Sequence, residues 1–374
     1  MRIVKAARQR ATADALTNPA LGLGSGLIKN ARARRYPKAR KLANGWPQAR
    51  TAHPQFHAHN SRGARPVKIL VTPRSFGKNN PELFDILRDA GLEVIRNDTG
   101  GILSEEAVKE KLAPCEGVIL GVDPMNASVL AAAPKLRAIA KYGVGLDNID
   151  LEACKTRGIA VSRTVGANSN AVADYALTLM LTVARKAALI DRRCREKDWS
   201  KITGIDLYGK TLGIVGLGAI GKCVARRARG FDMKILAHDI AWDEAYAQEA
   251  GIERADVDRI CREADFITLH TLLTDETRNL INAQRLAAMK KTAVLINTAR
   301  GGLIDEDALL AALREGRIHG AGLDVFEQEP PANPAWYALD NLVMGSHCSS
   351  STAGATEQMG RMAVANLLRD LGLR

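Results

Sequence analysis

Thr211-Leu-Gly-Ile-Val-Gly216-Leu-Gly218-Ala-Ile-Gly221, followed by Lys234-Ile-Leu-Ala-His-Asp239, decides the reading of this chain. An apolar run ends in G-x-G-x-x-G, and the helical pattern Ala219–Arg229 follows at once. In that strand–loop–helix context each glycine has a task. Gly216 permits the tight turn, Gly218 lets a pyrophosphate approach the backbone, and Gly221 lets helix and strand pack closely. The helix N-terminus offers unpaired N–H groups to the phosphates. Asp239 ends the next strand, 18 residues after Gly221. A carboxylate there accepts from both adenosine ribose hydroxyls and repels a 2′-phosphate, so the loop is expected to take NAD rather than NADP. The alternative is a structural glycine turn with a capping Asp.

On either side of this loop, strand and helix patterns alternate. Downstream come strands Phe266–Leu269, Ala293–Asn297, Gly320–Val325 and Leu342–Met344, with a helix near Glu306–Glu315. Upstream, order begins at Val67-Lys-Ile-Leu-Val-Thr, and strands Leu92–Ile95, Gly117–Leu120 and Leu136–Lys141 follow. Between them lie helices over Pro81–Ala90, Glu105–Leu112 (N-cap Ser104) and Ser128–Ala133. Such alternation implies βαβ units and parallel sheets, an α/β fold of two domains. Helix Asn170–Lys186 is apolar on most faces, which places it in a core or between subunits. The last helix, Thr352–Arg369, is expected to return to the first domain.

The chain has 374 residues and a formal net charge of +12. Fourteen of its Lys and Arg, against the single acid Asp14, fall in residues 1–66, so that head carries +13 and the remainder −1. The head lacks a sustained hydrophobic period and reads as a disordered basic extension. Its Gly22-Leu-Gly-Ser-Gly follows no strand and is a decoy. An Arg-rich head admits nucleic-acid binding, an organellar transit peptide or translated upstream sequence, but no recognised nucleic-acid module is present, so a nucleic-acid partner is not expected. No apolar run approaches the roughly 18 residues of a membrane span, and the start is a poor secretory signal, so a cytoplasmic enzyme with no membrane partner is expected. The six cysteines show no CxxC and no clustering, so no metal site is expected.

Three ionisable residues stand just past strand ends, where ligands bind in such sheets. Arg300 suits a substrate carboxylate through its planar fork. His347 suits proton exchange with a hydroxyl. Glu329 can hold the other imidazole nitrogen. The trio has the residue types needed for exchange of a hydride between NAD and a 2-hydroxy acid. Taken singly, each could also be an ordinary surface or loop residue.

From Val67 onward the chain resembles the D-isomer-specific 2-hydroxyacid dehydrogenases, and within them the D-3-phosphoglycerate dehydrogenases. The resemblance rests on Tyr142-Gly-Val-Gly-Leu-Asp-Asn-Ile-Asp, the Lys210–Gly221 stretch, Asn297-Thr-Ala-Arg-Gly-Gly-Leu-Ile-Asp-Glu, Leu323-Asp-Val-Phe-Glu-Gln-Glu-Pro-Pro and His347. It implies Arg300, Glu329 and His347 as the catalytic trio, with Val144 and Gly145 also at the substrate. Cofactor contacts are implied at Ala219, Ile220, Asp239, Thr271, Thr298, Ala299, Asp324, Ser349 and Ser350, beside Gly216, Gly218 and Gly221. The implied architecture is two Rossmann-like or flavodoxin-like domains: a substrate domain over 67–162 completed by 347–374, and an inserted NAD domain over 163–346. Helix 170–186 would build a homodimer. The substrate expected is 3-phosphoglycerate, in serine biosynthesis. However, Gly121 stands where those enzymes carry a phosphate-binding arginine, with Arg74, Ser75 and Lys141 as substitutes. The alternatives are a glyoxylate or hydroxypyruvate reductase, or an NAD(H)-sensing corepressor. Other departures are Leu272 in place of a usual Pro and Gly345-Ser346 in place of Thr-Pro before His347. The 27 residues after His347 leave no room for a C-terminal regulatory domain, so serine feedback through one is not expected.

Overall fold

The computed structural model describes residues 66–373. The first sheet contains β1 (Val67–Val71), β2 (Leu92–Arg96), β3 (Gly117–Leu120), β4 (Ala138–Lys141) and β5 (Ala160–Arg163), in the order β2-β1-β3-β4-β5. The second contains β6 (Thr211–Val215), β7 (Lys234–His238), β8 (Ile252–Arg254), β9 (Phe266–Leu269), β10 (Val294–Asn297), β11 (Gly320–Leu323) and β12 (Leu342–Met344), in the order β12-β11-β10-β9-β6-β7-β8. Every pairing is parallel. Strands β3, β4, β9, β10 and β11 are buried at every residue, as continuous apolar runs covered by helices on both faces should be.

The strand order reverses between β1 and β3 in the first sheet and between β6 and β9 in the second. At these switch points helices leave opposite faces and a crevice opens. The crevice of the second sheet lies at Gly216–Gly218 and that of the first beside Gly121. The C-terminal helix Ala353–Asp370 returns to the first sheet. Its Ala363, Val364, Leu367, Leu368 and Leu371 join Ile69, Val71, Leu83 and Leu87 in one apolar cluster. Gly117 makes room for this helix, since a Cβ there would stand 2.9 Å from Leu367.

The apolar helix runs Ser169–Ala184 and stops where Lys186 takes a left-handed φ of 51°. Its Ala173, Ala176, Leu179, Met180 and Val183 pack with Leu212, Ile214, Val224 and Ile296 against the second sheet. Its apolar character is therefore accounted for within one chain, although Leu181 stays exposed. Differences from the sequence reading concentrate at edges. The edge strands β5 and β8 and the helices Leu151–Thr156, Ala187–Arg195, Glu244–Ala250, Val257–Glu263 and Ala283–Ala288 are added by the structure to the elements the sequence pattern predicts. The strand expected over Gly320–Val325 ends at Leu323 because Asp324 turns to serve the loop beyond β12. The expectation for the basic head lies outside the described residues, apart from Pro66. Among the described residues no helix is long and apolar enough to cross a membrane. Nor does any group of His, Cys, Asp or Glu among them cluster as metal ligands do.

Candidate active site

The nucleotide loop is built as its glycines require. Gly216 has φ 98°, and a Cβ there would meet the His270 carbonyl carbon at 2.5 Å and Thr271 N at 2.7 Å. At Gly221 a Cβ would stand 2.1 Å from the Gly216 oxygen, so any side chain would lever the helix off the strand. Gly218, by contrast, faces open space and caps helix Ala219–Ala228 without a side chain, leaving the first-turn N–H groups to a ligand. Asp239 directly follows β7, beside this loop. Its Oδ2 accepts from Leu217 N (2.6 Å) and its Oδ1 from Ala241 N (2.7 Å), which fixes the carboxylate at the crevice mouth. A small cavity there is lined by Val215, Gly216, His238, Asp239, Ile240, Thr271, Thr277 and Leu280. Ile240, in this lining, is among the most exposed large apolar side chains. The hydroxyl of Thr298 is buried and has no hydrogen-bond partner among the described residues. An open phosphate cradle, a ribose-height carboxylate and an orphaned hydroxyl fit a dinucleotide.

The trio comes from three successive strand ends. After β10, Asn297 folds back on both sides: its Nδ2 donates to Arg300 O (2.7 Å) and its Oδ1 accepts from Ala299 N (3.0 Å). Gly301 follows because a Cβ there would stand 2.0 Å from the Phe326 carbonyl carbon. This seats the Arg300 loop directly against the loop bearing Glu329. Glu329 accepts from Phe326 N at Oε1 (3.1 Å) and meets His347 Nδ1 at Oε2 (2.8 Å). Half-burial works against its charge. The hydrogen bond and charge of His347, the Phe326 N–H and Arg300 outweigh that and hold its carboxyl below the ordinary range. With Nδ1 given to Glu329, Nε2 is the nitrogen left for a substrate oxygen.

His347 has φ 55°, unusual for a residue with a Cβ. The buried Asp324 sustains it. Its backbone oxygen accepts from His347 N (2.8 Å), while its carboxylate accepts from Cys348 N (2.9 Å) and Ser349 N (2.8 Å). Gly345 is required alongside, since a Cβ would lie 2.2 Å from Asp324 Oδ1. The departure from Thr-Pro before His347 thus still yields a compact loop. The resemblance implies Asp324 at the cofactor, and in the structure its carboxylate also serves the histidine loop. Ser349 is buried, and the Ser350 oxygen accepts from Thr352 N.

Across the cleft, Val144 and Gly145 lie in the loop after β4. Among the described residues neither N–H has an acceptor in the chain. Arg300 reaches this loop, and Asp147 Oδ2 accepts from its Nε (2.8 Å) and lies 2.7 Å from its Nη2. The motif Tyr142–Asp150 does not by itself assign a role to Asp147, because its partner is 153 residues away in sequence. Lys141 ends β4 and is 5% exposed. Its Nζ donates to Gly121 O (2.5 Å) and Asn148 Oδ1 (2.6 Å). Burial, then the charge of Arg300, pull this lysine down to about 8, against the opposing Asp147 and Asp123. Arg74 is exposed and makes a long 3.5 Å contact to Gly100 O.

A parallel-sheet domain with this loop, beside an Arg–Glu–His cluster, defines a dinucleotide-dependent oxidoreductase. Residues 177–349 match the family model described as D-isomer specific 2-hydroxyacid dehydrogenase, NAD binding domain. A glyoxylate reductase of Korarchaeum cryptofilum is 42% identical over 273 residues, covering 71% of this chain and 82% of that one. A D-3-phosphoglycerate dehydrogenase of Methanocaldococcus jannaschii is 39% identical over 82% of this chain and 57% of its own length. The crystal structure of the TT0316 protein from Thermus thermophilus superposes with a TM-score of 0.75 at 39% identity, over 82% of this chain and 98% of that one. The chain belongs to the D-isomer-specific 2-hydroxyacid dehydrogenase family, and NAD is its cofactor.

Proposed function

We propose that this enzyme interconverts a short, unphosphorylated 2-oxo acid, of the glyoxylate or hydroxypyruvate class, and its D-2-hydroxy acid. The observation that carries this reading is Lys141. It is the cation buried beside Gly121, where a phosphate-binding arginine would stand, and two of its three N–H groups are given to Gly121 O and Asn148 Oδ1. Arg74, on the loop after β1, lies on the surface. The glyoxylate reductases among the relatives point the same way.

In this reading Arg300 engages the substrate carboxylate, assisted by the N–H groups of Val144 and Gly145. His347 Nε2 gives a proton to the carbonyl oxygen in reduction and takes it back in oxidation, and Glu329 stabilises the imidazolium. The bound nicotinamide would supply the hydride to C2 of the 2-oxo acid as NADH and would accept it from the hydroxy acid as NAD+. Gly216, Gly218, Ala219, Ile220, Gly221 and Asp239 hold its adenosine and phosphates, and Thr271, Thr298, Ala299, Asp324, Ser349 and Ser350 surround its ring side. Residues 67–162 with 347–374 serve as the substrate domain and 163–346 as the NAD domain. A homodimer through the 170–186 region and the exposed Trp199 and Tyr208 completes the proposal. Sedimentation at micromolar concentration tests it, and a monomer mass would refute it.

A second reading, 3-phosphoglycerate oxidation in serine biosynthesis, is favoured by the phosphoglycerate dehydrogenase relative. NADH consumption with glyoxylate, hydroxypyruvate and 3-phosphohydroxypyruvate decides. Higher kcat/KM for the unphosphorylated acids supports the first reading, and a preference of tenfold or more for the phosphorylated one replaces it with the second.

A further inference from the structure

Arg300 has five N–H groups, and three are already committed in the chain. Nη1 donates to Ala299 O (2.6 Å), Nε donates to Asp147 Oδ2 (2.8 Å), and Nη2 lies 2.7 Å from the same carboxylate oxygen. One N–H on each terminal nitrogen remains, which is what a substrate carboxylate needs for a two-pronged contact. Gly145 makes the same point independently. A Cβ there would lie 1.5 Å from Arg300 Nη2 and 2.8 Å from Asp147 Oδ2, so the loop backbone is seated on this ion pair, and any side chain would expel the guanidinium. The pair joins the loop after β4 to the loop after β10, and so spans the two sheets.

We propose that Asp147 is the positioning residue for the substrate carboxylate: it holds the Nε–Nη2 edge of Arg300 and thereby turns the remaining N–H groups toward the 2-oxo acid. The inference rests on the reading of Arg300 as the carboxylate-binding residue. Energetics favour a geometric role over a stabilising one. The Asp147 and Arg300 side chains are 52% and 32% exposed, and ion pairs so open to water contribute little to folding. A long arginine left unheld would sample many rotamers, and that freedom would have to be given up at each binding event.

The test compares Asp147→Asn, Asp147→Glu, Arg300→Lys and the Asp147→Asn/Arg300→Lys double variant by steady-state reduction of glyoxylate at saturating NADH. The NADH Kd by fluorescence and the melting temperature are measured alongside. Asp147→Asn is expected to raise the 2-oxo-acid KM tenfold or more with a smaller change in kcat. Its NADH Kd should stay within twofold and its melting temperature within the error of the measurement. Asp147→Glu should recover part of the loss. In the Arg300→Lys background the Asn substitution should add less than twofold, because coupled residues are non-additive. An unchanged KM, a KM that falls because Asp147 had competed with substrate, or full additivity with Arg300→Lys would overturn the proposal. Failure of the underlying reading looks different: Arg300→Lys itself would leave KM unchanged.

Discussion

At the residue scale, His347 is held in a left-handed conformation that costs on the order of 1–3 kcal/mol. Asp324 offsets that cost by accepting from the next two N–H groups as well as from His347 itself. Asp324→Ala would leave two inward N–H groups unpaired and is expected to lower stability by about 2–4 kcal/mol, read from urea unfolding, with a loss of kcat. Glu329→Gln keeps the shape but removes the charge behind the imidazole. It should lower kcat by between about 10-fold and 10⁴-fold with NADH affinity unchanged, measured by stopped-flow and fluorescence titration. Since Glu329 is held below its ordinary value, its stabilising contribution exists above that range, near 4.5, and fades as pH falls through the folded value. Lys141 gives the opposite limb. Lowered to about 8, it is charged at neutral pH and loses its proton above that point. The KM for an anionic 2-oxo acid should therefore be flat near pH 7 and rise above about 8, and Lys141→Met should abolish that rise.

At the element scale, the strand–loop–helix unit of residues 211–228 was legible from sequence because each of its glycines answers a local steric demand. Gly221→Ala tests this. With a Cβ 2.1 Å from the Gly216 oxygen, the helix must shift, at a cost of about 1–3 kcal/mol and a weaker NADH Kd, seen by calorimetry and fluorescence. The start of helix Glu105–Leu112 was equally legible, because Ser104 caps it by accepting from Ala107 N. The edge strands β5 and β8 escaped because each carries a single large apolar residue, Val161 and Ile252, whereas the edge strands β2 and β12 carry three each. Helix Ser169–Ala184 shows a different limit. Its apolar faces announced burial, but composition does not distinguish a sheet of the same chain from a second subunit.

At the scale of the whole molecule, two switch points and the loops beyond β4, β10, β11 and β12 face one cleft. A ligand that binds only the folded chain must stabilise it. NADH at a hundred times its Kd should add about 2.7 kcal/mol, seen as a rise in melting temperature that grows with NADH concentration. NADPH at equal concentration should add less, because Asp239 stands where its extra phosphate would lie. A melting curve indifferent to NADH would contradict the nucleotide site. The net charge of +12 has no bearing on this cleft: it resides in the first 66 residues, while the site depends on a few placed groups.

The sequence by itself determined the α/β class, the dinucleotide loop, the residue types of the trio and the family, because these follow from local periodicity and from steric demands that leave glycines and strand ends in fixed places. Only the tertiary structure decided that Asp147 engages Arg300, that Asp324 supports the turn at His347, that Lys141 is buried against Gly121, and that helix Ser169–Ala184 serves its own sheet. Each of those contacts joins residues brought together only by packing. A titratable side chain does not declare its partner until the fold has set its burial and its neighbours.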